Sequence, residues 1–258
     1  DELREQCVDN FRRMAKERAE EIAALIVEPC VQGAAGMIVH PKGFLKGLET
    51  ICKENDILLI CDEVATGFGR TGTMFACEQE DVQPDLMCLA KGLTAGYLPL
   101  AATLVSDKVF EAFLGTYIEY KTFFHGHSYT GNALACAAAI ACLDIFEKEH
   151  VLETLGPKIK FLEHQLATQM NLLDNVGDVR QCGFMVGIEL VQDKLSRRPF
   201  PPELRMGATV TQNARKHGVI LRPLGDVVVI MPPLSISTAQ LDEIISATYE
   251  SIQETCRV

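Results

Sequence analysis

At 258 residues the chain is long enough for one large domain, or a medium one joined to a small one. With 48% hydrophobic and 23% charged residues it buries a substantial core, and no part reads as disordered. A formal charge of −11 and a pI near 5.0 argue against nucleic acid or an anionic membrane as a partner.

Residues 3 to 20 set Leu3, Cys7, Val8, Phe11 and Met14 at helical spacing among charges, which predicts a surface helix. The run from Ile22 to Val27 reads as a buried strand ending at Glu28-Pro29. Pro41-Lys42-Gly43 opens a helix with Phe44, Leu45, Leu48, Ile51 and Cys52 on one face, and the apolar strand Ile57 to Cys61 follows, stopping at Asp62. Strand, crossover helix and strand in this order belong to a right-handed unit of a parallel sheet. A further crossover leads to the strand Leu86 to Ala90, which stops at Lys91, and Leu100 to Val105 supplies a fourth strand.

Beyond an aromatic and histidine-rich loop, Lys121 to Tyr129, Gly131-Asn132 starts a helix of small residues from Ala133 to Cys142. From about Val151 the texture changes. Helix 158–173, strands 179–182 and 184–190, helix 203–217, strands 219–222 and 227–231, and a terminal helix after Ser237-Thr238 running to about Cys256 describe a small α+β domain. The expected organisation is an α/β domain over residues 1–150, with a mostly parallel sheet and crossover helices, followed by the small domain over 151–258.

No apolar run approaches the length of a membrane span, and the opening Asp1-Glu2-Leu3-Arg4-Glu5 lacks the pattern of a signal peptide. The 10 cysteines include no C-x-x-C pair, and Cys61, Cys88, Cys136 and Cys142 lie in apolar runs, so reduced thiols and a cytoplasmic location are expected. With no initiator methionine and a start inside a helical pattern, the chain is expected to be a piece of a longer protein. The 6 histidines form no metal-binding pattern, and no metal is expected.

Ligands of parallel α/β sheets gather at the carboxyl ends of the strands, where Glu28, Asp62 and Lys91 all fall. A strand-end aspartate often only caps the next turn, and a lysine after a strand is usually a solvated side chain. Together they suit pyridoxal phosphate: an amine desolvated at a strand end forms a Schiff base, and a carboxylate keeps the pyridine nitrogen protonated as an electron sink.

The intervening residues decide between these readings. Asp62-Glu63-Val64-Ala65-Thr66-Gly67-Phe68-Gly69-Arg70-Thr71-Gly72, with Ala90-Lys91-Gly92-Leu93-Thr94-Ala95-Gly96, resembles the signature of class III (subgroup II) pyridoxal-phosphate aminotransferases. Glu28-Pro29-Cys30-Val31-Gln32-Gly33 and Gly126-His127-Ser128-Tyr129-Thr130-Gly131-Asn132 extend the match, so four motifs stand in family order over essentially the whole chain. The family has a further amino-terminal portion, normally supplying an aromatic residue over the cofactor and a Gly-Ser turn for its phosphate.

The resemblance implies fold type I of the pyridoxal-phosphate transferases. It assigns Lys91 to the Schiff-base lysine, Asp62 to the pyridine-nitrogen partner and Val64 to the apolar contact on one ring face. Ser128, in place of the family's common threonine, would reach the cofactor phosphate of the other subunit, with the backbone of Gly126 and His127 beside it; this implies a homodimer with shared active sites. The Leu221 to Leu234 segment, with its Met-Pro-Pro wording, is closest to the biotin-synthesis branch, whose acceptor is 8-amino-7-oxononanoate. Arg222 would then grip the far carboxylate, or pair structurally with Glu28, and Arg70 is expected to be structural. The donor, S-adenosylmethionine or lysine, stays open. So do an ω-amino acid transaminase or aminomutase and, in a different class, a catalytically incompetent fragment or a binding module.

Overall fold

The structure, a computed structural model, describes residues 2–256. In chain order the elements are α1 (Glu2–Arg18), β1 (Ala24–Val27), β2 (Val31–Gln32), β3 (Ile38–Val39), α2 (Phe44–Glu54), β4 (Leu58–Asp62), β5 (Leu86–Leu89), β6 (Ala102–Val105) and α3 (Asp107–Glu111). The chain continues with α4 (Ala133–Lys148), α5 (Val151–Gln169), β7 (Val176–Cys182), β8 (Met185–Leu190), α6 (Met206–Asn213), β9 (Arg222–Leu224), β10 (Val227–Ile230) and α7 (Thr238–Cys256). Two compact units form. The first runs to Cys30 and includes His40–Phe68 and Thr73–His150; the second takes Val31–Val39, Gly69–Gly72 and the described residues from Val151 on.

The first unit holds a four-stranded sheet ordered β1-β4-β5-β6. The three apolar runs read from the sequence form parallel pairs, β1 with β4 and β4 with β5. The crossover helix α2 buries Leu45, Ile51 and Cys52 against Leu59 and Cys61, and α1 adds Val8 and Ala15 to the same core. The start of α2 is held by Glu80, whose carboxylate accepts from the Gly43 and Lys46 N–H groups at 2.8 and 2.9 Å. The fourth strand begins at Ala102 and runs antiparallel to β5. Its connection contains only the four-residue 3-10 helix Lys91–Thr94, and without a crossover α-helix the chain returns alongside in the opposite direction.

The second unit is α+β, an antiparallel sheet ordered β7-β8-β10-β9 with helices packed on it. Leu155, Leu162 and Leu166 of α5 and Leu241 and Ile245 of α7 meet Val186, Ile188, Val228 and Ile230 in one core. Helix α5 starts at Val151, earlier than its sequence suggests, because Leu152, Leu155 and Ile159 face that core on both sides of Pro157. Met206–Asn213 is α-helical but Ala214–His217 tightens to 3-10 geometry and ends at Gly218 with φ +81°, so helix 203–217 is shorter than expected. The strand expected at 219–222 begins at Arg222 instead. The hairpin β2–β3 was not expected from the sequence; Arg180 fixes its loop by donating to the Gly36 and Met37 carbonyls at 2.9 and 3.2 Å. Among the described residues no helix is long and apolar enough to cross a membrane.

Gly183 has φ +60°, and a Cβ there would lie 2.5 Å from the Thr71 backbone. Gly183→Ala is therefore expected to destabilise the second unit by about 2 kcal/mol or more, read as a lower urea midpoint; an unchanged midpoint would show that the Arg70–Thr71 strap yields freely. In the first unit Glu49 is 3% exposed and accepts from Lys46, Lys53 and the Gln83 N–H. Burial pushes its carboxyl up, but the hydrogen bonds from these three donors outweigh burial and hold it below its ordinary value. A depressed folded-state pKa supplies stability above the unfolded carboxyl's pKa and loses it as pH falls through the folded one. Glu49→Gln should thus lose less stability than the parent between about pH 6 and pH 3, measured by denaturant unfolding.

Candidate active site

Because β1, β4 and β5 are parallel and in register, Val27 lies beside Cys61 and Asp62 beside Cys88. Glu28, Asp62 and the turn that opens at Lys91 consequently share one end of the sheet, on strands about 4.8 Å apart. The ladder continues one step past β4, where the Glu63 N–H donates to the Cys88 carbonyl at 3.0 Å.

Asp62 is half-buried. Its Oδ1 accepts the Val64 N–H at 3.1 Å, and its Oδ2 has no hydrogen-bond partner among the described residues. The same contact orients Val64, itself half-buried, immediately beside the acid. Glu63, fully buried, faces away into the protein: it accepts the Cys77 N–H at 2.8 Å and the Thr66 hydroxyl, tying down the loop that follows Asp62. Sequence reasoning assigned Glu63 no task. Its signal was a charged residue directly after an apolar strand.

Lys91 opens the 3-10 helix with φ +43°, in the left-handed region. The sequence reading placed this lysine in a desolvated position. Its side chain is instead exposed, because it stands beyond the strand end and no element of its own unit covers it. It makes no ion pair among the described residues.

The loop carrying Gly126, His127 and Ser128 is exposed throughout. It is shaped by a tight turn in which the His127 N–H donates to Thr130 Oγ1 and the Thr130 N–H donates to the His127 carbonyl, each at 2.9 Å. The Tyr129 N–H reaches His127 Nδ1 at 3.1 Å, so that imidazole serves the turn. The Ser128 hydroxyl makes no hydrogen bond among the described residues. Asn132 closes the loop by capping α4, its Oδ1 accepting the Ala135 N–H at 3.0 Å.

Both arginines singled out in the sequence, Arg222 and Arg70, belong to the second unit. Arg222 opens β9 opposite Val229 and is exposed. Arg70 is largely buried, which pulls its pKa below the usual value, and it donates to the Pro232 carbonyl, with no carboxylate partner among the described residues. A single arginine among Gly69, Thr71 and Gly72 was its visible signal, but a backbone partner 162 residues away was not. A groove of about 300 Å³ lined by Phe75, Asp85, Met87, Leu104 and Ser106 lies toward the amino end of β5, away from Lys91.

Among the described residues, a carboxylate with one spare oxygen, an amine without a counter-ion and a hydroxyl with no partner are groups of the kind that fit an aldehyde cofactor with a basic ring nitrogen and a phosphate. The family model for aminotransferase class-III matches residues 1–252. The chain belongs to the class III aminotransferases. These enzymes depend on pyridoxal phosphate. The chain is 56% identical over 246 residues to the adenosylmethionine-8-amino-7-oxononanoate aminotransferase of Nitratidesulfovibrio vulgaris, covering 95% of this chain and 45% of that protein. Against the solved structure of the enzyme of that name from Methanocaldococcus jannaschii, the TM-score is 0.94 at 47% identity, over 96% of this chain and 57% of the other. An (S)-enantioselective omega-transaminase from Thermomicrobium roseum gives 0.92 at 38% identity, over 98% and 56%. The chain spans about half the length of the curated relatives it matches. The class III fold read from the motifs is thus the one observed.

Within this class III chain, Glu63→Gln leaves one carbonyl oxygen for two donors, the Thr66 hydroxyl and the Cys77 N–H. A loss of about 1–3 kcal/mol in unfolding free energy is expected from thermal or urea denaturation, and a variant as stable as the parent would remove Glu63 from this role.

Proposed function

We propose that this chain carries most of the catalytic machinery of a pyridoxal-phosphate aminotransferase that converts 8-amino-7-oxononanoate to 7,8-diaminopelargonate, a step of biotin synthesis. The observation that carries the reading is the pair of strand ends, Asp62 with an unoccupied Oδ2 and Lys91 without a counter-ion, in a chain 56% identical to a relative of that name.

When bound, the cofactor supplies an electron-withdrawing ring that accepts the electron pair left when a proton departs from the substrate carbon. Asp62 would keep the ring nitrogen protonated, while the Val64 N–H holds its Oδ1 and so fixes the carboxylate plane. Lys91 Nζ would hold the aldehyde end and, as a free amine, would serve as the base for the substrate proton. Val64 would supply an apolar contact to the ring. Ser128, with the Gly126 and His127 backbone, would hold the phosphate belonging to the other subunit of a homodimer. Arg222 would receive the far carboxylate of the acceptor by a bidentate contact, and Glu28 is a further substrate-binding candidate.

Support for a second copy comes from Tyr97, Tyr117, Ile118, Phe124 and Leu134, each 74–89% exposed on the first unit, a surface that an isolated chain would leave in water. On this reading the first unit is part of the large cofactor domain, nominally residues 1–150, and the second is the small domain, 151–258. The protein works in the cytoplasm with small-molecule amino donor and keto acceptor, the donor being S-adenosylmethionine or lysine. The likeness to an omega-transaminase favours, as a second reading, another class III transamination.

The test is purified full-length protein assayed with 8-amino-7-oxononanoate and each donor, beside a panel of ω-amino acids. Formation of 7,8-diaminopelargonate supports the proposal; turnover of ω-amino acids alone selects the second reading. Lys91→Ala should abolish the visible absorbance of bound cofactor, and Asp62→Asn should lower kcat by about 10²–10³-fold. A protein that stays colourless with added cofactor would contradict both readings.

A further inference from the structure

We propose that Phe68 and Cys142 are positioning residues for Lys91, clasping its turn from two sides so that the amine leaves the sheet in one fixed direction. The proposal rests on the reading of Lys91 as the reacting amine and adds two side chains to which the family motifs assign no chemistry.

A lysine at φ +43° occupies a conformation that residues with a Cβ disfavour, and such backbone persists only where its surroundings hold it. The first holder is Phe68, from the loop that follows Asp62. A Cβ placed on Gly92 would lie 2.7 Å from Phe68 Cβ and 3.1 Å from Phe68 Cγ and Cδ2, so the phenylalanine fills the space where any other residue would carry a side chain. Phe68 itself has little room to yield: it is 4% exposed, and its ring meets Phe75 edge-on with centroids 5.7 Å apart.

The second holder comes from α4. The buried Cys142 thiol donates at 3.4 Å to the Gly92 carbonyl, the same carbonyl that accepts the Ala95 N–H at 3.0 Å, and so bears on the hydrogen bond that closes the Lys91–Thr94 turn. Burial pushes this thiol up, so it remains a donor at neutral pH. Ala139, one turn earlier on α4, packs with Phe68, Leu89 and Leu93 in a small core beneath the turn. Thr94 Oγ1 closes the far side on the Leu98 carbonyl at 2.6 Å. The acid-bearing loop and the helix that follows the Gly126–Ser128 loop therefore both end on the backbone next to the amine.

The test uses full-length protein and two readouts other than turnover. One is the rate at which pyridoxal phosphate, fixed by borohydride and mapped by peptide mass, labels Lys91. The other is hydrogen exchange at the Leu93 and Ala95 amides, referenced to amides of α2. Cys142→Ala removes the thiol's bond to the Gly92 carbonyl, and should slow labelling and speed exchange at Ala95, each by about tenfold, with α2 unchanged. Cys142→Ser keeps a donor and should return both toward the parent. Phe68→Leu, which keeps an apolar side chain but removes the ring, should slow labelling in the same direction. Cys142→Ala behaving as the parent in both readouts, or exchange in α2 speeded as much as that at Ala95, would overturn the clasp. If the parent protein takes no label at Lys91, the reading of the amine fails, and exchange at Ala95 alone then decides whether the clasp exists.

Discussion

The register between two parallel strands is the constraint from which the site follows. Pairing Asp62 with Cys88 sends β4 and β5 out of the sheet at the same level, one ending in a carboxylate and the other, three residues later, in an amine. A slip of one residue would reverse which face each side chain takes, so the buried Leu59 and Cys61 on β4 and Leu89 on β5 defend the arrangement as strongly as any polar contact. The hydrophobic core beneath the sheet thus sets the chemistry above it.

The polar contacts around that edge divide the work. Val64 N–H occupies one oxygen of Asp62, and the other has no hydrogen-bond partner among the described residues. Glu63, one residue on, turns inward and spends its charge on Thr66 and the Cys77 N–H, holding the loop from which Phe68 reaches the lysine turn. Adjacent carboxylates therefore have opposite fates. The one facing the sheet edge keeps an open valence, and the buried one is saturated by the protein, which is the arrangement burial demands of a charge that has no function to perform.

Much of this was legible in the sequence because it depends on local pattern. Apolar runs that stop at Glu28, Asp62 and Lys91 specify buried parallel strands, and the glycine-bearing motifs after them identified the family. What escaped depends on partners distant in the chain or on the connection between elements. The direction of β6 followed from a linker too poor in helix to cross over, and two-residue strands such as β2 and β3 carry too little pattern to read. The thiol of Cys142 acts on a carbonyl 50 residues earlier, and Arg70 on one 162 residues later. Lys91 was expected to be desolvated and is exposed, since covering a strand end is a property of neighbouring segments and not of the strand.

The central claim is that Asp62 and Lys91 hold the same flat ring, the acid keeping its nitrogen protonated. The most direct measurement is the ¹⁵N NMR shift of ring-labelled pyridoxal phosphate bound to the full-length protein. A protonated nitrogen in the parent that becomes neutral in Asp62→Asn is the predicted result; a nitrogen already neutral in the parent, or one whose shift ignores the substitution, would contradict it.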